Sequence, residues 1–412
     1  MRILHTSDWH LGKSLEGFSR LSEQEQFIEE LIEIVEREKI DMILVAGDVY
    51  DTYNPPAAAE QLFYKSMKEL SKQGQRPIVI IPGNHDNAER LIAASPLIYE
   101  QGVLLIGTSQ KGIPVGKYQG FEILESGKYY LTLSIKNEQA VVLALPYPTE
   151  KTLNEMLTRD ADEEIMQKSY SERIGRLFQD LSKHYRKDTI NLALSHLFMV
   201  GGEESGSERQ IQLGGSLAVE SKCLPKAQYI ALGHLHRSQK VIGGEKKAYY
   251  SGSPIQYSKS EIHYSKCVHL VEVEPSKEAK VTPMYLRNYK PIEVWRCSCI
   301  EDALRRCEKE SEKEAWIYLE IETDRVLTAD EIKSLKDFRR DIVEIRPLLT
   351  TEDFLEKERQ DIKDLNIMEL FFDFYRNKRG VEPDQEMVEL FAQIIGEGEK
   401  ENEALVIESE WN

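Results

Sequence analysis

The sequence predicts an α/β protein: two sheets packed face to face and flanked by helices, then a small α/β unit and C-terminal helices. Three observations carry that expectation. Short apolar runs alternate with stretches of helical periodicity through the first hundred or so residues. Closely spaced strands follow from about residue 103 to 146. A fresh β-α-β-α-β series begins near Pro291.

Ile3 and Leu4 mark a first short strand, and residues 23–38 carry Phe27, Leu31, Ile34 and Val35 at helical spacing. The run 41–46 is a buried strand ending in Gly47-Asp48. A helix is expected over 57–73, and the strand 78–81 ends in Pro82-Gly83-Asn84-His85. Strands at 129–135 and 140–145 precede a helical stretch near 163–184. The strand 190–194 then leads to His196, and 229–232 leads to Gly233-His234. Two more strands fall near 266–274 and 279–286.

The later unit reads strand 292–296, helix 301–311, strand 316–321, helix 329–338 and strand 342–347. Beyond it, Ile367, Leu370, Phe371, Phe374 and Tyr375 lie on one helix face. Gly380 suits a C-cap. Asp384 suits the N-cap of a helix carrying Met387, Val388, Leu390, Phe391, Ile394 and Ile395. After Gly396, six glutamates against one lysine suggest a frayed acidic tail.

Composition narrows the function classes. At 412 residues, 41% hydrophobic and 30% charged, the chain has material for two or three domains. No apolar run reaches the roughly 18 residues of a membrane helix, and the first apolar segment is too short for a signal core, so a cytoplasmic protein is expected. Cys223, Cys267, Cys297, Cys299 and Cys307 form no C-x-x-C pair and read as reduced thiols. The formal charge of −18 is the wrong sign for a protein that holds DNA by its overall field. A polyanionic substrate would need a local patch, bound cations or a partner.

Ligand-type residues recur where strands end. Asp8 and His10 follow the first strand, Asp48 the second, Asn84 and His85 the third, and His196, His234 and His236 follow two later ones. Loops at strand ends converge on one sheet edge, and the strands hold them rigid. Taken singly the motifs are weak: D-x-H occurs by chance, and Gly47-Asp48 or Gly83-Asn84 could be turns. Together, in this order, they point to a dinuclear site. Carboxylates, an amide oxygen and imidazoles suit Mn²⁺ or Fe²⁺ better than Ca²⁺, and the lack of thiolates disfavours structural zinc. A carboxylate such as Asp48 can bridge two ions roughly 3.5–4 Å apart, the arrangement that polarises a phosphate and lowers the pKa of a bridging water.

The series Asp8-Trp9-His10, Gly47-Asp48-Val49-Tyr50-Asp51, Gly83-Asn84-His85-Asp86, Ser195-His196 and Gly233-His234-Leu235-His236 resembles the calcineurin-like metallophosphoesterase family. The opening Met1 to Gly12, Thr52 with Pro55-Pro56, Asn84 to Leu91 and Tyr250-Ser-Gly-Ser-Pro254 are similar to its DNA-repair nuclease branch, the bacterial SbcD family. That resemblance implies a metallophosphoesterase nuclease domain over 1–288, a DNA-capping domain over 289–348 and a helical partner-binding region over 349–412. It implies one metal held by Asp8, His10, Asp48 and His236, and another by Asp48, Asn84, His196 and His234. His85 would then stand over the scissile phosphate, and Asp51 matches the acid that orients this histidine in the phosphatase branch.

The resemblance further implies a Mn²⁺-dependent nuclease acting on duplex ends (3′ to 5′), single strands and hairpins in DNA repair, recombination and replication. Its partner would be an SbcC-type coiled-coil ATPase. The docking residues would be Ile367, Leu370, Phe371, Phe374, Leu390, Phe391 and Ile394. A homodimer is expected through helices near 57–73 and 89–101, with Leu62, Phe63, Met67, Leu91, Ile92, Leu97 and Ile98 on its face. The alternatives are a small-molecule phosphodiesterase or phosphatase on the same site, and a DNA-end scaffold without catalysis. Thr52-Tyr53 stands where protein phosphatases carry Arg-Gly, and a small substrate would not need the later domains.

Overall fold

Which way each apolar side chain points along a strand decides the layers of the molecule. In this computed structural model, which describes residues 1–93, 95–108, 112–149, 153, 170–208, 217–243, 247–349 and nine positions between 368 and 391, the first sheet has six strands. In spatial order they are Lys280–Tyr285, Cys267–Glu272, Arg2–Thr6, Met42–Ala46, Ile78–Ile81 and Val103–Leu105. The last four run parallel. Ile3, Leu44, Ala46, Val79 and Ile81 join one hydrophobic cluster; Leu4, Ile43, Val45, Ile78 and Ile80 join another. Both faces are therefore covered, as a parallel sheet requires.

The second cluster is completed by Phe27 and Leu31 from helix Leu21–Arg37 and by Leu62 and Phe63 from helix Ala57–Leu70. The first is completed by a second sheet, whose Val142, Leu192, Leu194, Ile230 and Leu232 are buried against it. Burying each such side chain stabilises the fold by about 1.5–3 kcal/mol. That sheet has eight strands, with Ala248–Tyr250, Tyr229–Gly233, Ile190–His196 and Glu138–Leu145 parallel at its centre. Helix Tyr170–Leu181 adds Ile174 and Phe178; the expected helical residues 163–169 lie outside the described ones.

Three expectations need correction. The helix expected to reach residue 73 stops at Leu70, because Lys72, Gln73 and Gly74 all take left-handed backbone angles. The stretch 89–101 is not one helix but Ala88–Ile92, Ser95–Ile98 and a 3₁₀ turn at Tyr99–Gln101. Leu62, Phe63, Met67, Leu91 and Ile92, expected on a self-association face, are instead buried in the chain's own core. Leu97 is the exposed one, at 81%.

The later unit is a three-stranded parallel sheet, Ile292–Cys297, Trp316–Thr323 and Ile342–Leu349, with helices Ile300–Lys309 and Ala329–Phe338. A capping box of Thr328 and Glu331 starts the second helix. Trp295, Cys297, Cys307, Leu319 and Leu335 give this sheet its own core. It meets the larger body where Leu15, Ile292, Trp316 and Tyr318 cluster, and Trp316 Nε1 donates to Glu23 at 2.6 Å.

Of the expected docking residues, Ile367, Leu370, Phe374 and Ile394 lie outside the described residues. Phe371 and Phe391 stack on each other, ring centroids 4.0 Å apart, so these two face one another across the two segments. Leu390 is exposed. All five cysteines are free thiols, and among the described residues no helix is long and apolar enough to cross a membrane.

Candidate metal centre

The parallel strands of both sheets deliver their carboxyl ends to one place. Asp8 and His10 follow Arg2–Thr6, Asp48 follows Met42–Ala46, and Asn84 and His85 follow Ile78–Ile81. From the second sheet come His196, the last residue of its strand, and His234 and His236 just beyond Tyr229–Gly233. His196 pairs in register with Gly233. All seven residues expected to hold metal are buried here.

The backbone is bent to bring them together. Asp8, His10 and Asp48 have φ of 55°, 44° and 50°, and His234 has 112°, conformations that non-glycine residues adopt at a cost. Glycines supply close approach beside them. A Cβ on Gly47, itself at φ 88°, would stand 2.4 Å from His196 Nδ1, and one on Gly83 would stand 2.1 Å from Asp48 Oδ1. Asp86 ties the two loops by accepting the N–H groups of Gly83, Val49 and Tyr50 at 2.8, 3.1 and 2.9 Å.

Donor geometry tests whether cations fit. His196 Nδ1 donates to the Ala46 carbonyl at 2.8 Å, which leaves its Nε2 a bare lone pair. That Nε2 lies 2.8 Å from Asn84 Oδ1, an acceptor, and His234 Nδ1 crowds the same oxygen at 3.1 Å. On the other side His10 Nε2 and His236 Nε2 stand 3.0 Å apart, and the buried His10 Nδ1 has no hydrogen-bond partner. Asp48 Oδ2 lies between the two groups, 3.7 Å from His10 Nε2 and 3.5 Å from His196 Nε2. Lone pairs that converge in a buried space repel unless a cation lies among them. The donor set fits two divalent cations.

Electrostatics agree. Burial and the charge of Asp48 push the Asp8 carboxyl well above its usual range, against bonds from Ser7 and the His234 N–H. Burial would raise Asp48 too. The imidazoles of His196, His10 and His85 and the His85 N–H outweigh it and hold Asp48 below the usual carboxylate range. Burial depresses His10 to about 4 and lowers His196 and His234, so these rings stay neutral, the state in which an imidazole can hold a cation. A buried carboxylate pair among neutral rings calls for positive charge.

His85 differs from the buried ring donors. Its side chain is 14% exposed, and its ring packs edge-on against His10 with centroids 4.6 Å apart. Its Nδ1 donates to the backbone carbonyl of Asp51 at 2.8 Å, and the Asp51 carboxylate is 3.9 Å away. The expectation that the Asp51 carboxylate orients His85 is thus corrected: the peptide group does so. The carboxylate is bound instead by Lys13 Nζ at 2.7 Å and stands 3.5 Å from His10 Nδ1.

Within ligand reach of one another, Asp8, His10 and His236 form one group and Asp8, Asp48 and His196 a second; His10, Asp51 and His85 form a third. Sequence reasoning missed Asp86, although it sits inside the Gly83-Asn84-His85-Asp86 motif. It also missed Ser207, Glu208, Glu261 and Lys266 around His236, which belong to no motif and carried no signal.

Comparison with known proteins gives two family matches. The calcineurin-like phosphoesterase model matches residues 1–238, and the type 5 capsule protein repressor C-terminal domain model matches residues 288–379. The SbcD component of the SbcCD nuclease of Bacillus subtilis (strain 168) is 41% identical over 405 residues, 98% of this chain and 100% of that relative. The SbcD of Rhodobacter capsulatus is 36% identical over 69% of each chain, and that of Escherichia coli K12 is 30% identical over 79% of each.

Proposed function

The chain belongs to the calcineurin-like phosphoesterase family, in the SbcD branch of nuclease subunits, and from that premise we propose how its residues divide the work. It is a metal-dependent phosphodiesterase of the nuclease class. Asp8, His10, Asp48 and His236 would hold one cation and Asp48, Asn84, His196 and His234 the other, with Mn²⁺ as the ion that suits this donor set. When bound, the pair polarises the phosphate and activates water for in-line displacement.

The chain's own groups do the rest. Asp48 shares its carboxylate between the two sites. His85 keeps its Nδ1 proton on the Asp51 carbonyl, so it acts on the phosphate as the imidazolium: the second proton, on Nε2, stabilises developing charge or passes to the leaving oxygen and leaves the neutral ring. Lys13 holds the Asp51 carboxylate beside His10.

The substrate is DNA, cut as an exonuclease on duplex ends and as an endonuclease on single strands and hairpins. The strand-292 unit acts as the capping domain, and the residues beyond it dock an SbcC-type coiled-coil ATPase. Two copies of the chain set two sites on one substrate, with Leu97 at the contact. Support for the metal-dependent reading rests on one observation above the others: imidazole nitrogens and carboxylates from both sheets converge in a buried space, a donor set that suits two divalent cations. Degradation of linear duplex DNA by the purified chain with and without Mn²⁺, set against turnover of a small aryl phosphate diester, tests it. Hydrolysis of the diester with no action on DNA would replace the nuclease reading by the small-molecule one.

A further inference from the structure

We infer that Glu261, locked in place by Lys266, is a positioning residue that sets the tautomer of His236 and so the affinity of one cation site. The inference rests on the dinuclear reading above. Glu261 and Lys266 are both buried, in a stretch no motif marks, and they form an ion pair at one edge of the site. A buried pair of this kind costs desolvation and survives where its remaining bonds are satisfied.

Those bonds converge on one ligand. Lys266 Nζ donates to Glu261 Oε2, to Ser253 Oγ at 2.8 Å and to the backbone carbonyl of His236 at 3.1 Å. Glu261 Oε1 lies 3.3 Å from His236 Nδ1 and accepts from Ser207 Oγ. Ser207 Oγ is itself 2.7 Å from His236 Nδ1. With its proton given to Glu261, Ser207 can only accept from the ring. Both neighbours of Nδ1 therefore demand an N–H there. Glu208 fixes the backbone as well, accepting the His236 N–H at 2.9 Å.

The consequence is directional. A proton held on Nδ1 leaves Nε2 bare, and Nε2 is the atom that meets His10. A carboxylate behind an imidazole also raises its basicity toward a cation. The partner ring has no such support: His196 donates to a neutral carbonyl, that of Ala46. The two cation sites are thus unequal by construction. Among the described residues, the site of Asp8, His10 and His236 carries a buried carboxylate behind one ring, whereas His196 of the other site has a neutral carbonyl there.

Two measurements on the full chain test this. Calorimetric titration with Mn²⁺ should find two sites in the wild type, and Glu261→Gln should weaken one of them about 10–100-fold while leaving the other unchanged. Because that variant strands a buried lysine, Glu261→Gln with Lys266→Met is titrated beside it and should behave alike. Nitrogen NMR of the metal-free protein, with the His236 signals assigned by their loss in His236→Asn, should show the proton on Nδ1 in the wild type and mixed tautomers in the variants. Two unchanged sites in either folded variant, equal weakening of both, or a wild-type His236 protonated on Nε2 would each overturn the assignment. A wild type that binds no Mn²⁺ would sink the dinuclear reading itself.

Discussion

Asp48 and His85 are joined through a backbone bond: Asp48 Oδ1 accepts the His85 N–H at 2.9 Å, while its Oδ2 faces His10 and His196. One carboxylate thus connects the proposed cation sites to the loop that carries His85. Asp48→Ala should abolish Mn²⁺-dependent cutting and weaken both cation sites in calorimetry. Asp48→Asn can still accept the His85 N–H, so its loop should stay in place while its cation affinity falls. If either variant cuts DNA at a rate near wild type, the shared-ligand assignment is wrong.

His85 should separate chemistry from cation binding. Removing a positioned proton donor typically costs about 10²–10⁴ in rate. His85→Ala should lose at least about 10²-fold in turnover and keep two Mn²⁺ sites. A crystal of this variant that lacks one ion would make His85 a ligand.

The backbone tether predicts an unusual tolerance at residue 51. His85 Nδ1 is held by the Asp51 carbonyl, which every side chain at that position retains. Asp51→Asn should therefore cost much less in turnover than His85→Ala. Its effect should fall on Lys13 and on the neighbourhood of His10, whose Nδ1 lies 3.5 Å from the lost charge. A loss as deep as that of His85→Ala in single-turnover kinetics would put the carboxylate back in charge of the histidine.

Much of this was legible because strand ends and ligands coincide in the chain. Apolar runs such as Met42–Ala46 announce their strands, and the residues just after them are few and polar, so Asp48 stood out. What surrounds the ligands did not. Glu261 reaches His236 from 25 residues away, and its burial depends on Lys266, which no local pattern reveals. The same limit explains Leu62 and Phe63. An apolar helix stripe looks alike whether it covers a partner or its own sheet, and here the sheet claims it.

The C-terminal region tests whether this chain is a subunit or a complete machine. Among the described residues, the hydrophobic clusters of both larger sheets and of the three-stranded sheet draw no member from beyond Ile345. Phe371 and Phe391 instead stack on each other, while Leu390 beside them stays 53% exposed. An apolar residue left exposed beside a stacked aromatic pair is what a docked partner would cover. Deleting residues 350–412 should leave the melting temperature of the remainder, both cation sites and basal Mn²⁺-dependent cutting unchanged. It should remove co-purification with the coiled-coil ATPase and with it ATP-stimulated duplex processing. Leu390→Asp in the full chain should weaken the ATPase contact without touching Phe371 and Phe391. The −18 charge favours the same arrangement, since a partner would then supply the positive field that the net charge of this chain does not. A truncated chain that bound the ATPase with undiminished affinity, or that melted well below the full protein, would return these residues to the core.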